Sequence, residues 1–289
     1  MGKVVFVLIA VQIKGGLGNQ MWQYAYGRYL SLRYGTELKL DLSWFRVNHV
    51  PFALGNFNIH ATVMEAGTYN LNLIRENWDV PSRLMVLGDN IYLSGYWQNI
   101  MYFEPIEDFI RADFRLKSAL SPHSIECLHA IHESNMPVSV HVRRGDYLSI
   151  TYGENKRLYA ICTPQYYETC VDLLQQRLSD IELFIFSNDM KWCKEHLHFN
   201  VPTYYCEGND KEHGYEDIFL MSQCRHHVIA NSSFSWWGAW LNDRKEKWVL
   251  APERYVMRDD GLFGVFNKDW LPQDWCVVRG GGMPIGHGL

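Results

Sequence analysis

The residues in this chain best suited to chemistry are two adjacent arginines, Arg143 and Arg144, which follow alternating valines at residues 138–142. The alternation predicts a strand with one apolar face and places His141 and Arg143 together on the opposite face. Ligands bind at the carboxyl ends of parallel strands, and paired guanidinium groups suit phosphate oxygens. Asp146 is close enough in sequence to hold one arginine by a charged hydrogen bond. The segment predicts a diphosphate site, with a structural salt-bridge network at a sheet edge as the alternative.

A second candidate phosphate site is a serine-rich junction between a predicted strand at 227–230 and a predicted helix that contains Trp236. Hydroxyl groups and the first free N–H groups of a helix can hold phosphate oxygens, and the helix dipole favours an anion there. The alternative is ordinary capping of the helix by serine. The junction consists of Asn231, Ser232, Ser233, Phe234 and Ser235.

A third polar segment follows the predicted strand at 183–186 and contains Asp189. This carboxylate could accept hydrogen bonds from a base or a ribose, or it could cap the next helix. Both interpretations are open from the sequence.

A glycine loop near the start of the chain includes Gly16, Gly18 and Asn19, between a predicted strand and a predicted helix. Its backbone N–H groups could approach an anion closely, or the glycines could serve a tight turn. Asp41 ends the second predicted strand, as in dinucleotide-binding folds, but Met21 stands where the third glycine of that fingerprint would lie. A nicotinamide or flavin site is therefore disfavoured.

The elements that must position these residues alternate between strand and helix. Strands are predicted at 4–13 and 38–41 with a helix from 21 to about 34 between them, and the same alternation recurs beyond residue 136. Such βαβ units imply parallel sheets. The fold class is therefore α/β, with an N-terminal domain at 1–125 and a C-terminal domain at 126–289. We expect two Rossmann-like domains that face a cleft.

Composition excludes several classes of protein. The chain has 289 residues, 47% of them apolar, and a net charge of −5, which argues against general attraction to nucleic acid or membrane. Seven cysteines without a C-x-x-C pair indicate free thiols in a reducing compartment. No apolar run reaches membrane length, so the expected location is cytoplasmic. The chain contains neither D-x-D nor H-E-x-x-H, which disfavours a metal site.

The ordered set of motifs resembles the α-1,2-fucosyltransferases of glycosyltransferase family 11. The resemblance covers the glycine loop, the Gly-Tyr-Trp-Gln segment, the His-Val-Arg-Arg-Gly-Asp segment, the Phe-Ser-Asn-Asp segment and the serine junction with its tryptophans, at 15–21, 95–98, 141–146, 186–189 and 231–240. The His-x-Arg-Arg-x-Asp pattern is shared with other fucosyltransferases. The glycine loop and the serine junction narrow the resemblance to this family. Trp22 stands where phenylalanine is usual.

The resemblance implies a GT-B-like fold of two domains and GDP-fucose as the donor, with no other cofactor and no divalent metal. It implies inverting transfer of L-fucose to the 2-hydroxyl of a terminal galactose on a β-galactoside-terminated oligosaccharide. Transfer with another linkage, or a non-catalytic module that binds a GDP-sugar, are the alternatives. Acceptor preference is left open.

Residue roles follow from the resemblance together with the chemistry of a departing diphosphate. Arg143 would stabilise the negative charge, Arg144 would assist it, and His141 would position the nucleotide. Asp146, Asp189 and the junction residues would bind the donor, and the glycine loop with Asn19 would close over it. No catalytic base is identified, although Asp41 is a candidate from its place at a strand end.

Overall fold

The computed structural model describes residues 8–65, 70–76, 90–148, 161–257, 263–265, 270–279 and 282–285. The chain divides into two compact units, Met1–Ala119 and Leu120–Leu289. The boundary expected from the sequence, between residues 125 and 126, falls inside the helix Pro122–Glu133, which belongs wholly to the second unit.

The N-terminal unit contains the predicted βαβ arrangement. In its described part the elements are β1 Ile9–Gln12, α1 Leu17–Tyr34, β2 Leu38–Asp41, β3 Thr62–Val63, β4 Asn72–Arg75, β5 Ile91–Ser94 and α2 Glu107–Asp113. The described strands form one parallel sheet in the order β3-β2-β1-β5-β4. Gly35 ends α1 with a φ of +61°, a conformation that glycine adopts without steric cost. Gly27 lets α1 lie against β1 and β2, because a Cβ there would come within 2.5 Å of Val11 and 2.8 Å of Leu38.

The C-terminal unit repeats the alternation around a larger sheet. Its described elements are α3 Pro122–Glu133, β6 Met136–Val142, α4 Pro164–Gln175, β7 Ile181–Ser187, α5 Met190–His196, β8 Thr203–Tyr205, α6 Gly214–Gln223, β9 His226–Val228, α7 Ser233–Leu241, β10 Val249–Pro252, β11 Arg254–Met257, β12 Phe263–Val265, β13 Cys276–Arg279 and β14 Gly282–Ile285. The sheet order is β14-β13-β10-β9-β6-β7-β8, in which β14 pairs antiparallel with β13 and the other described pairings are parallel. A separate antiparallel pair joins β11 to β12.

The centre of the C-terminal sheet is buried on both faces. The prediction of one apolar and one polar face for β6 is therefore wrong, since Ser139 and His141 are as buried as the valines. Helices cover both faces of a parallel sheet, so polar side chains there must find partners within the protein. Ser139 Oγ, for example, lies 2.7 Å from Nδ1 of His227, whose Nε2 lies 2.8 Å from the amide of Asn242.

The tryptophans of α7 lie in the hydrophobic core. Trp236 and Trp237 are fully buried, and the Trp236 indole N–H donates to the Trp270 carbonyl oxygen at 2.8 Å. All seven cysteines lie in the described part of the chain and are free thiols. No described helix combines the length and the apolar character that a membrane span requires.

Candidate functional sites at the strand ends of each unit

The candidate functional residues of the C-terminal unit come together because β6, β7 and β9 run parallel and end at the same edge. In the register, Val142 pairs with Ser187 and Val140 with Val228. The segments that follow these strands therefore lie side by side, although 40 to 90 residues separate them in sequence. We call this surface the arginine edge; it comprises residues 141–148, 187–192 and 229–235.

His141 is a neutral imidazole within the arginine edge. Its side chain is 4% exposed, and its ring lies 5.4 Å from the ring of Phe234. Burial, aided by the positive charge of Arg143, lowers the His141 pKa to about 3. Its Nδ1 is buried and has no hydrogen-bond partner among the described residues. A buried polar atom without a partner is costly in a protein interior, and a bound ligand is one way to satisfy it.

The two arginines differ in what holds them. The Arg143 guanidinium lies 5.0 Å from the centre of the Tyr147 ring. The Arg144 guanidinium lies only 3.8 Å from the centre of the Trp192 ring, and its Nε is 3.4 Å from Oδ2 of Asp189. The Arg144 side chain is 16% exposed. Arg144 is therefore packed between an indole and a carboxylate.

Asp189 has protein partners for both of its carboxylate oxygens. Oδ1 accepts a hydrogen bond from the Trp192 backbone N–H at 3.3 Å, which makes Asp189 the cap of α5, and Oδ2 pairs with Arg144. Of the two interpretations left open by the sequence, the geometry favours the cap.

A tight turn supports the same arginine. The Asn188 side chain accepts a hydrogen bond from the Arg144 backbone N–H at 3.0 Å. Gly145 has a φ of +42°, and a Cβ on it would lie 2.3 Å from the Asn188 amide nitrogen. The turn therefore needs glycine at this position. The side chain of Asp146 lies outside the described structure, so its predicted role is untested.

The serine junction lies at the same edge and begins α7. Ser232 Oγ accepts a hydrogen bond from the Phe234 backbone N–H at 3.3 Å, which is the capping that the sequence left open. Ser235 donates inward, to the Ser232 carbonyl oxygen at 3.3 Å. Asn231 is fully buried, and its backbone carbonyl oxygen accepts a hydrogen bond from the Tyr147 hydroxyl. The hydroxyls of Ser232 and Ser235 thus order the start of α7, and Tyr147 joins this junction to the arginine turn.

Sequence reasoning missed Asp217, in the first turn of α6. Its Oδ1 accepts a hydrogen bond from the Asn209 amide at 2.6 Å, and burial raises the Asp217 pKa to about 6. A carboxylate with a raised pKa in a segment that follows a parallel strand is a candidate functional group. Asp217 belongs to none of the sequence motifs, so only the folded structure identifies it as a candidate functional group.

The corresponding edge of the N-terminal unit is built from amides and carboxylates. We call it the amide edge; it comprises residues 12–20, 41–43, 75–76 and 94–98. Gln20 is fully buried, and its amide holds the Gly15 and Pro51 carbonyl oxygens at 3.0 and 2.9 Å. Gln98 donates to Oδ1 of Asn19 at 2.7 Å. Gly15 has a φ of +77°, so the tight turn expected of the glycine loop is present.

Asp41, the candidate base from its strand-end position, has protein partners for both of its carboxylate oxygens. Its Oδ2 accepts hydrogen bonds from the Tyr92 hydroxyl at 2.5 Å and the Ser43 hydroxyl at 3.1 Å, and its Oδ1 accepts one from the Ser43 backbone N–H. Both carboxylate oxygens of Asp41 are therefore occupied by hydrogen bonds within the protein.

Within the described residues, no group of three or more His, Cys, Asp and Glu side chains is arranged to hold a metal ion. The charged side chains described at the arginine edge are the guanidinium groups of Arg143 and Arg144, the carboxylate of Asp189 and the exposed ammonium group of Lys191.

Comparison with known proteins identifies the family. The model described as "Glycosyl transferase family 11" matches residues 6–271. The chain belongs to glycosyltransferase family 11. Among family members, an Escherichia coli alpha-1,2-colitosyltransferase is 30% identical over 302 residues, which cover 94% of this chain and 99% of that protein. The Escherichia coli O-antigen biosynthesis glycosyltransferase WbnK is 29% identical over 91% of this chain and 97% of its own length. The rat galactoside alpha-(1,2)-fucosyltransferase 2 is 26% identical over 94% of this chain and 77% of its own.

Solved structures confirm the GT-B-like fold that the resemblance implied for this family 11 chain. The Bradyrhizobium fucosyltransferase NodZ matches with a TM-score of 0.55 and 12% identity, over 81% of this chain and 93% of that one. Arabidopsis thaliana FUT1, in a complex with GDP, matches with a TM-score of 0.50 and 9% identity, over 94% of this chain and 76% of that one. At such identities the likeness concerns the fold alone.

Proposed function

We propose that this chain transfers L-fucose from GDP-fucose to the 2-hydroxyl of a terminal galactose, with inversion at the fucose anomeric carbon. The observation that carries the proposal is the arginine edge. Two guanidinium groups, a buried neutral imidazole and the N-terminus of α7 converge there from the ends of two neighbouring strands, β6 and β9. These groups suit a nucleoside diphosphate, and the names of the relatives point to a sugar donor of this class.

The proposed reaction breaks the bond between fucose C1 and the phosphate oxygen, and its electron pair leaves with GDP. The acceptor oxygen forms the new bond from the opposite face of the sugar and loses its proton. Negative charge grows on the β-phosphate as the bond stretches. Preorganised donors aimed at such charge often supply the largest catalytic contribution, about 3 kcal/mol for one donor. We assign this role to Arg143 first and to Arg144 second.

His141 would contribute as a neutral group. Because burial keeps its pKa near 3, it carries no charge at physiological pH and can offer one ring nitrogen to a nucleotide oxygen or N–H. The N-terminus of α7, where Ser232 caps the Phe234 N–H, would add a helix dipole that favours phosphate oxygens. Asp217 would accept hydrogen bonds from the base or the ribose, a role that the sequence offered to Asp189.

We further propose that the reaction needs no divalent metal. Guanidinium groups and a helix N-terminus can neutralise a diphosphate without one. Transfer activity should persist in excess EDTA and should not rise when Mg²⁺ or Mn²⁺ is added. Loss of activity in EDTA that Mn²⁺ restores would contradict this part of the proposal.

A second donor is favoured by one observation. The colitosyltransferase is 30% identical to this chain, whereas the mammalian galactoside fucosyltransferases are 26% identical. Colitose is the 3-deoxy counterpart of fucose, so both donors carry the same GDP group and differ by one hydroxyl. The arginine edge would serve either donor equally.

Product analysis by NMR tests the function. GDP-fucose and GDP-colitose are offered separately with lactose, with N-acetyllactosamine and with a galactoside whose 2-hydroxyl is methylated. The proposal expects a fucosylated product, with the new linkage at the galactose 2-position, and no product from the methylated acceptor. A product formed only with GDP-colitose would establish the second donor. GDP binding without turnover on any acceptor would indicate a non-catalytic module.

A further inference from the structure

A second polar cluster lies at the amide edge, beside the glycine loop. Lys14 follows β1, Glu76 follows β4, and Tyr96 follows β5, so parallel pairing brings the three together at one sheet edge. Each is partly buried, which leaves part of each side chain at the surface. The carboxyl ends of parallel strands are where α/β units bind ligands.

Glu76 holds a strained turn at this edge. Its two carboxylate oxygens accept hydrogen bonds from the backbone N–H groups of Tyr96 at 2.7 Å and Trp97 at 2.9 Å. Trp97 has a φ of +56°, a left-handed conformation that costs a residue with a side chain of the order of 1 kcal/mol. A Cβ on Gly95 would lie 2.4 Å from Glu76 Cβ, so the turn and the carboxylate fit closely. Strained turns persist where the surrounding structure holds them, and they cluster at functional sites.

The turn is anchored on its other side by Trp97. That indole is 1% exposed, and its ring packs 4.9 Å from the ring of Tyr26. The Trp97 ring is fixed in the core, and the Trp97 backbone N–H is held by Glu76. Tyr96 directly precedes Trp97 and is held by the same carboxylate, so its position at the edge is defined.

The position of Lys14 beside the Tyr96 ring is also fixed by hydrogen bonds. The Gln23 side chain makes two hydrogen bonds to the backbone of Lys14. It accepts one from the Lys14 N–H at 2.8 Å and donates one to the Lys14 carbonyl oxygen at 3.2 Å. The Lys14 ammonium then lies 5.0 Å from the centre of the Tyr96 ring. Burial lowers the Lys14 pKa and raises that of Glu76, and the attraction between the two charges opposes both shifts.

The chemistry of this cluster differs from that of the arginine edge. An aromatic ring, a lysine with three donors and a carboxylate of opposite charge suit a neutral polyol better than an anion. A pyranose offers C–H groups that pack on a ring and hydroxyls that accept from an ammonium group.

We propose that Lys14 and Tyr96 form the subsite that binds the acceptor galactose, and that Glu76 is the positioning residue that holds Tyr96 there. This inference rests on the proposed function, since it concerns the acceptor of the same reaction. It requires that changes at these residues affect acceptor binding and leave donor binding as it is.

Steady-state kinetics with the full chain test the proposal. Tyr96→Ala and Lys14→Met should each raise the KM for lactose about tenfold, the loss expected for one aromatic or charged contact, while the KM for GDP-fucose stays the same. Glu76→Gln should raise the lactose KM in the same way, because an amide cannot accept from both backbone N–H groups. A purely structural role would instead lower the amount of active enzyme and leave both KM values unchanged.

Matched controls lie at the opposite end of the same sheet. Tyr34 stacks with Arg33 at 6.0 Å, and Lys39 pairs with Glu37 at 3.4 Å, so they repeat the same residue types away from the amide edge. Tyr34→Ala, Lys39→Met and Glu37→Gln should leave both KM values unchanged.

Saturation-transfer NMR with methyl β-galactoside gives a second readout that needs no turnover. The sugar signal should be present with the wild-type chain and lost with Tyr96→Ala. An unchanged lactose KM, an altered GDP-fucose KM, or a galactoside signal that survives in Tyr96→Ala would each overturn the subsite. A wild-type chain that binds the galactoside but transfers neither sugar would remove the proposed function while supporting the subsite.

Discussion

The arginine edge and the amide edge occupy equivalent places in two similar sheets, yet they are built from different groups. At the arginine edge, guanidinium groups are held by an indole, a carboxylate and backbone turns. At the amide edge, the side chains of Gln20, Gln23 and Glu76 hold backbone N–H and carbonyl groups. The same Rossmann-like arrangement of strands and helices therefore presents fixed positive charge in one unit and a nearly neutral polar surface in the other. Ligand class follows from the side chains at the strand ends rather than from the fold.

The largest effect on transfer is expected when the charge of Arg143 is removed and the fold of the arginine edge is kept. Arg143→Ala should lower kcat/KM for transfer by a hundredfold or more, since a preorganised donor contributes about 3 kcal/mol. Near-UV circular dichroism should show that the fold is intact. Arg177→Ala, which removes a guanidinium that stacks on Trp248 elsewhere in the same unit, serves as the control. Wild-type kcat/KM in Arg143→Ala would remove the assignment.

A pair of glycine substitutions compares turns in the two units. Gly145→Ala adds a side chain at a φ of +42° and pushes the Asn188 amide away from the Arg144 N–H, so it should cost about 2 kcal/mol of unfolding free energy and reduce transfer. Gly35→Ala has a φ of +61° but open space around it, so it should cost about 1 kcal/mol and leave transfer unchanged. Urea unfolding and initial rates measure both. Equal effects on transfer would show that the Asn188 contact is unimportant.

Removal of the indole that packs on Arg144 should give a moderate effect. Trp192→Leu removes a cation–π contact of 3.8 Å and should raise the KM for GDP-fucose about tenfold while the KM for lactose stays unchanged. Trp248→Leu removes a comparable contact with Arg177 and should leave the donor KM as it is. A change in the lactose KM alone would place Trp192 on the acceptor side and would blur the distinction between the two edges.

Acid should destabilise the C-terminal unit through its buried imidazoles. Burial lowers the pKa from 6.5 to about 3 for His141 and about 4 for His226, whereas His49 and His60 of the N-terminal unit are exposed. The unfolded chain binds these protons before the folded one does. Stability is therefore full above pH 6.5 and falls as the pH drops toward 4.

The slope of that loss is measurable, at about 1 kcal/mol per pH unit for each buried imidazole. His226→Gln should make the decline in unfolding free energy shallower, as followed by urea titration at several pH values. His49→Gln should leave the slope unchanged. Identical slopes for wild type and His226→Gln would show that the imidazole does not drive acid unfolding.

Much of the C-terminal site could be predicted because its residues lie in short contiguous motifs at strand ends. The strand pattern located β6 and β7, and the arginines, His141 and the serine junction follow from position alone. The residues that pack on the arginines were not foreseen. Tyr147 contacts Asn231, and Trp192 contacts Arg144, only because parallel strands distant in sequence are neighbours in the sheet.

The N-terminal unit was less legible between residues 42 and 90. β3 and β4 lie there, and both are largely exposed edge strands without an alternating apolar pattern. Sequence patterns detect buried faces, so strands that bury little leave a weak signal. Glu76 follows β4 and was missed for this reason.

The order of residue types along the chain was enough to establish α/β units, the family and the identity of the charged groups, because each depends on local spacing. The spacing did not reveal that β6 is covered on both faces, that Asp189 caps a helix, that Asp41 is satisfied by Tyr92, or that Lys14, Glu76 and Tyr96 share one edge. These facts depend on which strands pair and which helices cover them. Pairing brings together groups far apart in sequence, and burial then sets their charge and their partners.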